Sequence, residues 1–229
     1  MRTEASLTKI IATIGPATSS KEKLHELFIA GVDVCRLNFS HGTHADHLQV
    51  IHYIRELNKE MDANVSILGD LQGPKLRTGE LEKPHIDLIK DKEIEITTEK
   101  VVGNDDRISI SYKNFASDVE VGEIFLIDDG KLKLQVISTD KKNLVKAKVL
   151  AGGKLSSRKG VNLPNTKLSL PSLTKKDIDD FHFAIENEID WIALSFVRSA
   201  TDIIELRDLL KSVKSNTRII AKIEKPEAV

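Results

Sequence analysis

The chain has 229 residues, 40% of them apolar and 30% charged, enough for one large domain or two modest ones around a sizeable core. Lys and Arg number 34 against 35 Asp and Glu, a net charge of −1, and aromatic residues are 4%, which excludes a basic nucleic-acid coat, an anionic-membrane patch and a base-stacking surface as dominant features. The single cysteine, Cys35, excludes an intrachain disulfide, no run approaches the eighteen or so apolar residues of a membrane helix, and the N-terminus lacks a signal peptide's apolar stretch; the expected location is the cytoplasm.

The β-branched run Lys9–Gly15 reads as a strand. A helix follows, with Ser19 and Glu22 spaced as a capping box, Leu24, Leu27 and Phe28 on one face, and Gly31 at its stop. Val32–Ser40 is a second strand, then comes a helix burying Val50, Ile51, Ile54 and Leu57, then a third strand, Val65–Leu71. This alternation predicts a parallel sheet or barrel. It breaks near Gly73-Pro74. From Lys75 to Leu170 the pattern has period two, as in EIEITTE, ISISY and EIFLIDDG-KLKLQVIS, and Asp129-Gly130 and Gly152-Gly153 read as hairpin turns. An independent all-β domain is expected there, because parallel sheets rarely continue as consecutive hairpins. From Pro171 the helix–strand rhythm returns. Thr174 and Asp177 open a helix bearing Ile178, Phe181 and Ile185. Trp191–Phe196 is a strand, a helix carries Ile204 and Leu209, and Arg218–Glu224 is the last strand. The expected domains are residues 1–74 and 171–229, forming one α/β unit with five parallel strands, and residues 75–170 as an insert. A closed barrel needs eight strands.

Polar residues collect at the strand ends. Alternation puts Arg36, Asn38 and Ser40 on one face, with Leu37 and Phe39 on the other. Asp70 ends the third strand, Ser195 the fourth, and Lys222 and Glu224 share a face at the end of the fifth. In a parallel barrel these ends form the ligand rim. The residue types favour phosphate chemistry. Arg36 offers a planar fork, Lys222 a compact charge, and Asp70 and Glu224 hard oxygen ligands. Taken alone, Lys222 and Glu224 read more readily as an ordinary ion pair at a sheet edge.

The segments TKIIATIGPAT, CRLNFSHG, GDLQGPKLRTG, SRKGVNLP, ALSFVR and IIAKIEKPEAV resemble, in order, those of pyruvate kinases. The resemblance implies a (β/α)8 TIM barrel, of which this chain carries the first five strands, with an inserted all-β lid after the third. It implies transfer of a phosphoryl group from phosphoenolpyruvate to ADP. Arg36 would contact the substrate phosphate, and Lys222 would stabilise the transferring group and the enolate. Glu224 would bind Mg²⁺ or Mn²⁺. Asn38, Phe39, Ser40 and His41, with Arg77 and the lid residue Lys159, would face the nucleotide. Asn38, Ser40, Asp70 and the Leu71 carbonyl would match a monovalent-cation site, with Ser195 in support. Gly73-Pro74 and Leu163-Pro164 would serve as lid hinges. His41 and Lys159 could instead be plain surface residues.

Two departures from the family stand out. Potassium-dependent members resembling the animal enzymes carry an acidic residue where this chain has Lys75, and Thr and Lys where it has Leu71 and Gln72. Lys75 could replace the charge of K⁺, as in bacterial K⁺-independent members, or simply face solvent. The chain also lacks the family's sixth strand, with its glycine-rich loop and second metal aspartate, a later threonine, and the C-terminal domain that supports a homotetramer. The 229 residues alone are therefore expected to be inactive. Another phosphoenolpyruvate- or pyruvate-handling barrel, and a non-catalytic binding module built on the β-domain, stand as alternatives.

Overall fold

A computed structural model describes residues 7–166 and 168–224; the first six residues and the KPEAV end of the last motif lie outside the described residues. The chain divides into two compact units, one running to Pro74 and resuming at Ser172, the other spanning Lys75–Pro171.

The first unit opens with β1 (Ile11–Ile14), α1 (Lys21–Ala30), β2 (Val34–Asn38), α2 (His44–Glu60) and β3 (Ser66–Asp70). The α1 cap is Ser20, not Ser19. Ser20 is extended and its Oγ accepts from Lys23 N at 3.3 Å, whereas the Ser19 hydroxyl turns back to the Pro16 carbonyl. Gly31 closes α1 in the left-handed region at φ 90°, donating to the Leu27 and Phe28 carbonyls. A Thr43–Asp46 capping box starts α2, whose buried side is Val50, Ile51, Ile54 and Leu57, as the sequence periodicity predicts.

The second unit holds β4 (His85–Leu88), β5 (Glu93–Thr97), β6 (Arg107–Ser109), a one-turn α3 (Phe115–Asp118), β7 (Ile124–Ile127), β8 (Leu132–Thr139), β9 (Leu144–Ala151), β10 (Gly153–Ser156) and β11 (Val161–Asn162). Six strands form one sheet in the order β11-β7-β8-β9-β5-β6, and β10 pairs with β4 in a second. Asp128, Asp129 and Gly130, all at positive φ, turn β7 into β8 as a hairpin. Gly152-Gly153 does not close a hairpin. It carries the chain from β9 in the large sheet to β10 in the small one, and a Cβ at Gly152 would lie 2.1 Å from the Leu88 carbonyl oxygen. Two further expectations are corrected. A helical turn, α3, interrupts the strands where Phe115 and Ala116 must both be buried. Leu163 is 1% exposed inside this unit's core, and Thr166 and Ser169 are hydrogen-bonded to Glu123 and Asp118, so Leu163-Pro164 is built into the β unit and is not a hinge.

The chain then completes the first unit with α4 (Lys175–Glu186), β12 (Trp191–Leu194), α5 (Ala200–Ser212) and β13 (Arg218–Ala221). A Thr174–Asp177 capping box opens α4. On α5 the buried side is Asp202, Leu206 and Leu210; Ile204, expected inside, is 48% exposed because it falls off that stripe. The sheet is parallel throughout, in the order β1-β2-β3-β12-β13, so each strand sits beside its predecessor as in a barrel wall.

Alternation splits this sheet cleanly. Leu37, Phe39, Ile67, Leu71, Ile192 and Leu194 join Leu24, Ile51, Ile54, Phe181 and Leu206 in one core against the helices. The packing is tight at Gly69, where a Cβ would come 2.8 Å from the Phe39 ring. The opposite parity carries Thr13, Arg36, Asn38, Asp70, Ser195 and Lys222. Among the described residues no helix is long and apolar enough to cross a membrane.

Two outcomes test this description. Gly152→Ala should destabilise the protein by about 2 kcal/mol in urea titration, because the obstructing atom is backbone and cannot yield as a side chain would. Cys35 is fully buried and burial pushes its thiol up to about 12, so alkylation at pH 8 should be undetectable until denaturant unfolds the chain.

Candidate active site

Parallel register decides which side chains meet. Asn38 and Ala193 both lie opposite Asp70, Thr13 lies opposite Arg36, and Leu194 opposite Ala221. The strand ends of β1, β2, β3, β12 and β13 therefore deliver Thr13, Arg36, Asp70, Ser195 and Lys222 to one rim.

Asp70 is the centre. It is 2% exposed, and a bare carboxylate there would be strongly disfavoured. Arg36 donates Nε to Oδ2 at 2.6 Å and brings Nη2 to 2.5 Å, while Lys222 Nζ lies 3.2 Å from both oxygens. Arg36 Nη1 reaches Thr13 Oγ1 at 2.7 Å. Ser195 has one hydroxyl proton; it donates to the Leu71 carbonyl at 2.7 Å and accepts from Lys222 Nζ at 2.8 Å. Two cations thus share one carboxylate, and the cluster keeps a net positive charge. The Arg36 and Lys222 side chains remain 28% and 29% exposed, so a ligand can still reach them.

Glu224 stands beside this group. Its Oε2 accepts from Phe196 N at 3.0 Å, which pins Phe196 at φ 55°, and its Oε1 lies 3.7 Å from Lys222 Nζ. Lys222 is therefore bound across strands to Asp70, not primarily to its i+2 neighbour. Glu224 Oε1 is a hard oxygen with a loose partner, which fits one ligand of a divalent cation. Among the described residues, no group of three or more His, Cys, Asp or Glu could hold a metal, so the donor set present here is partial.

The turn after β2 carries the remaining candidates. Asn38 Oδ1 accepts from Ser40 N at 3.1 Å, and His41 N donates to the Asn38 carbonyl. The Phe39 ring is 2% exposed in the core, so only its backbone faces the rim side. Gly73 is held by Asp177, whose Oδ1 accepts from Gly73 N at 2.9 Å. Lys75, Arg77 and Lys159 belong to the β unit. There Arg77 Nη1 donates to the Arg158 carbonyl at 2.9 Å, and Lys159 Nζ pairs with Asp128 at 2.9 Å, with Lys131 on the same carboxylate. Those two cations hold Asp128 below the usual carboxylate range.

Sequence reasoning missed Thr13, whose parity with the strand-end set was its only signal, the second role of the capping residue Asp177 at Gly73, and the buried Asp180 of α4. Two clefts of about 520 and 620 Å³ lie elsewhere, one around Trp191 and Arg218 at the opposite strand ends, the other around Glu95 and Arg107 in the β unit; neither gathers these groups.

Because Asp70 is the common counter-ion, Asp70→Asn should cost about 2 kcal/mol at pH 7 by chemical denaturation, less than for a fully buried pair since both cations are partly solvated.

Residues 5–229 match the family model for the pyruvate kinase barrel domain. Pyruvate kinases of Staphylococcus aureus strains USA300 and NCTC 8325 are 42% identical over 223 residues, 97% of this chain and 38% of theirs. The crystal structure of a pyruvate kinase from Cryptosporidium parvum superposes with a TM-score of 0.88 at 38% identity, covering 96% of this chain and 46% of that one. The chain thus spans less than half the length of these relatives. On sequence and fold together, the chain belongs to the pyruvate kinase barrel-domain family.

Proposed function

We propose that the protein carrying these residues transfers the phosphoryl group of phosphoenolpyruvate to ADP, giving pyruvate and ATP. The observation that carries this reading is the pair of ligand-accessible cations, Arg36 and Lys222, locked onto one buried carboxylate beside Glu224. Phosphoryl transfer asks for positioning and charge neutralisation, and preorganised cations supply both without rearranging during the reaction.

The outer N–H groups of Arg36 hold the substrate phosphate. Lys222 faces the oxygens of the group in flight and then the enolate oxygen, and Ser195 and Asp70 keep its ammonium aimed. Glu224 would hold a divalent cation, Mg²⁺ or Mn²⁺, which when bound would supply Lewis-acid charge. Asn38, the Phe39 backbone, Ser40 and His41 face the nucleotide, joined by Arg77 and Lys159. The β unit acts as a lid whose closure excludes water, so that ADP and not water receives the phosphoryl group. Gly73 is tied to α4, and Ser172 is tied to Glu205, so the lid's joints fall at Pro74-Lys75 and at Pro171. The whole protein works in the cytoplasm as a homotetramer.

The same geometry supports K⁺ independence. Asn38, Ser40, Asp70 and the Leu71 carbonyl would form the monovalent site, yet Asp70 already serves two cations and the Leu71 carbonyl already accepts from Ser195. With those donors already engaged, free K⁺ finds little to bind, and the Lys75 ammonium, tethered by the chain, would supply the positive charge in its place.

The decisive experiment is a lactate dehydrogenase-coupled assay on the full-length protein with Mg²⁺, phosphoenolpyruvate and ADP. Turnover is expected, with Lys222→Met lowering kcat by about a thousandfold; absence of turnover in the wild type sinks the reading. Turnover should persist in Na⁺- and K⁺-free buffer, and strong activation by added K⁺ would remove the Lys75 proposal alone. The 229 residues by themselves should show little or no activity in the same assay.

A further inference from the structure

The turn that follows β2 is short and polar, yet it must hold Asn38, Ser40 and His41 in register with Arg36. Its anchorage lies on the side away from the rim. Phe39 N donates to the Asp70 carbonyl at 3.1 Å, and the Phe39 ring packs edge-on to Phe183, centroids 5.9 Å apart. The Phe39 carbonyl accepts from Lys176 Nζ at 2.7 Å. That same ammonium is 2.6 Å from Asp180 Oδ2, and Asp180, 2% exposed, takes His44 Nε2 on its other oxygen at 2.8 Å. His44 stacks on Phe183 at 4.3 Å and 13°, which returns the circuit to Phe39. A second tie comes from α2, where His47 Nε2 meets the His41 carbonyl at 2.9 Å.

None of this is needed for the fold of α4. The helix has its own Thr174–Asp177 capping box, and Asp180 takes no part in it. A buried carboxylate calls for partners, and Asp180 finds Lys176 on its own helix and His44 on α2, with Lys176 going on to the Phe39 carbonyl. A cleft of about 240 Å³, lined by Phe39, Gly42, His44, Lys176 and Asp180, opens between turn and helix beside the Phe39–Phe183 contact. Charge-assisted hydrogen bonds span it.

We propose that Lys176 and Asp180 are positioning residues for the ligand-binding turn, acting through the Phe39 carbonyl and touching neither substrate nor nucleotide. Lys176 fixes the peptide plane between Phe39 and Ser40, and this plane sets where the Ser40 and His41 groups point. Asp180 keeps the ammonium on that carbonyl, and His44 keeps Asp180 from turning.

The inference rests on the reading of this turn as the nucleotide contact, and the test separates the two. Lys176→Met and Asp180→Asn are made in the full-length protein, with the exposed neighbour Lys175→Met as control. Amide hydrogen exchange is expected to quicken about tenfold at Ser40 and His41 in both variants and not in the control. KM for ADP is expected to rise about fivefold with kcat changed less, measured well below each thermal midpoint, and Lys176→Arg, which can still bridge carbonyl and carboxylate, should restore it. Unchanged exchange overturns the proposal. So does faster exchange with an unchanged KM, or a lowered midpoint as the only effect. If the wild type shows no turnover, the phosphoryl-transfer reading fails, and exchange alone decides whether Lys176 holds the turn.

Discussion

Burying a carboxylate without partners is strongly unfavourable, and Asp70 is buried at the end of the central strand. That constraint organises the rim. It requires cations, and β2 and β13 bring Arg36 and Lys222 from either side. It also orders them, because Thr13, Ser195 and the Leu71 carbonyl take up the donors and acceptors that remain. The cost of burying one negative charge is offset by two partly solvated positive ones, and the surplus charge is what an anionic ligand would use.

The parallel sheet makes such convergence inexpensive in sequence. One parity of each strand feeds the core shared with α1, α2, α4 and α5, and the other parity can be polar only at its end. Capping carboxylates do double duty in this frame. Asp177 closes the N-terminus of α4 and also secures Gly73 where the chain leaves the unit. The β unit has its own core, with Phe115, Phe125, Leu134 and Ala147 fully buried, and its own corner device at Gly152.

Much of this was legible in the sequence, and for physical reasons. Helix and strand periods gave the α2 face residue by residue, and Thr174-Asp177 and Gly31 marked their caps. Parity grouped Arg36 with Asn38 and placed Phe39 in the core. The misreadings turn on neighbours that composition alone does not reveal, local in one case and distant in the others. Ser19 and Ser20 are both fit to cap, and the chain's return at Pro16 selects the second. Gly152-Gly153 has hairpin composition, but the Leu88 carbonyl sits against it. Ile204 is apolar enough for a core that α5 does not turn toward it. Thr13 and Asp180 gave almost no local signal, because a threonine in a strand and an aspartate in a helix are unremarkable until their partners arrive.

The close fit of Gly69 beneath the Phe39 ring has a bearing on how such a chain can vary. Position 69 precedes the central carboxylate, and position 39 lies in the turn beside the rim. Any side chain at 69 must push the ring, and the ring moves the peptide that Lys176 holds. The two positions are therefore free to drift only together. A smaller residue at 39 would have to appear first and would loosen the turn before a larger one at 69 could fill the space. The strand beside the rim and the turn above it thus constrain each other through one contact, and neither position can be altered as if it stood alone.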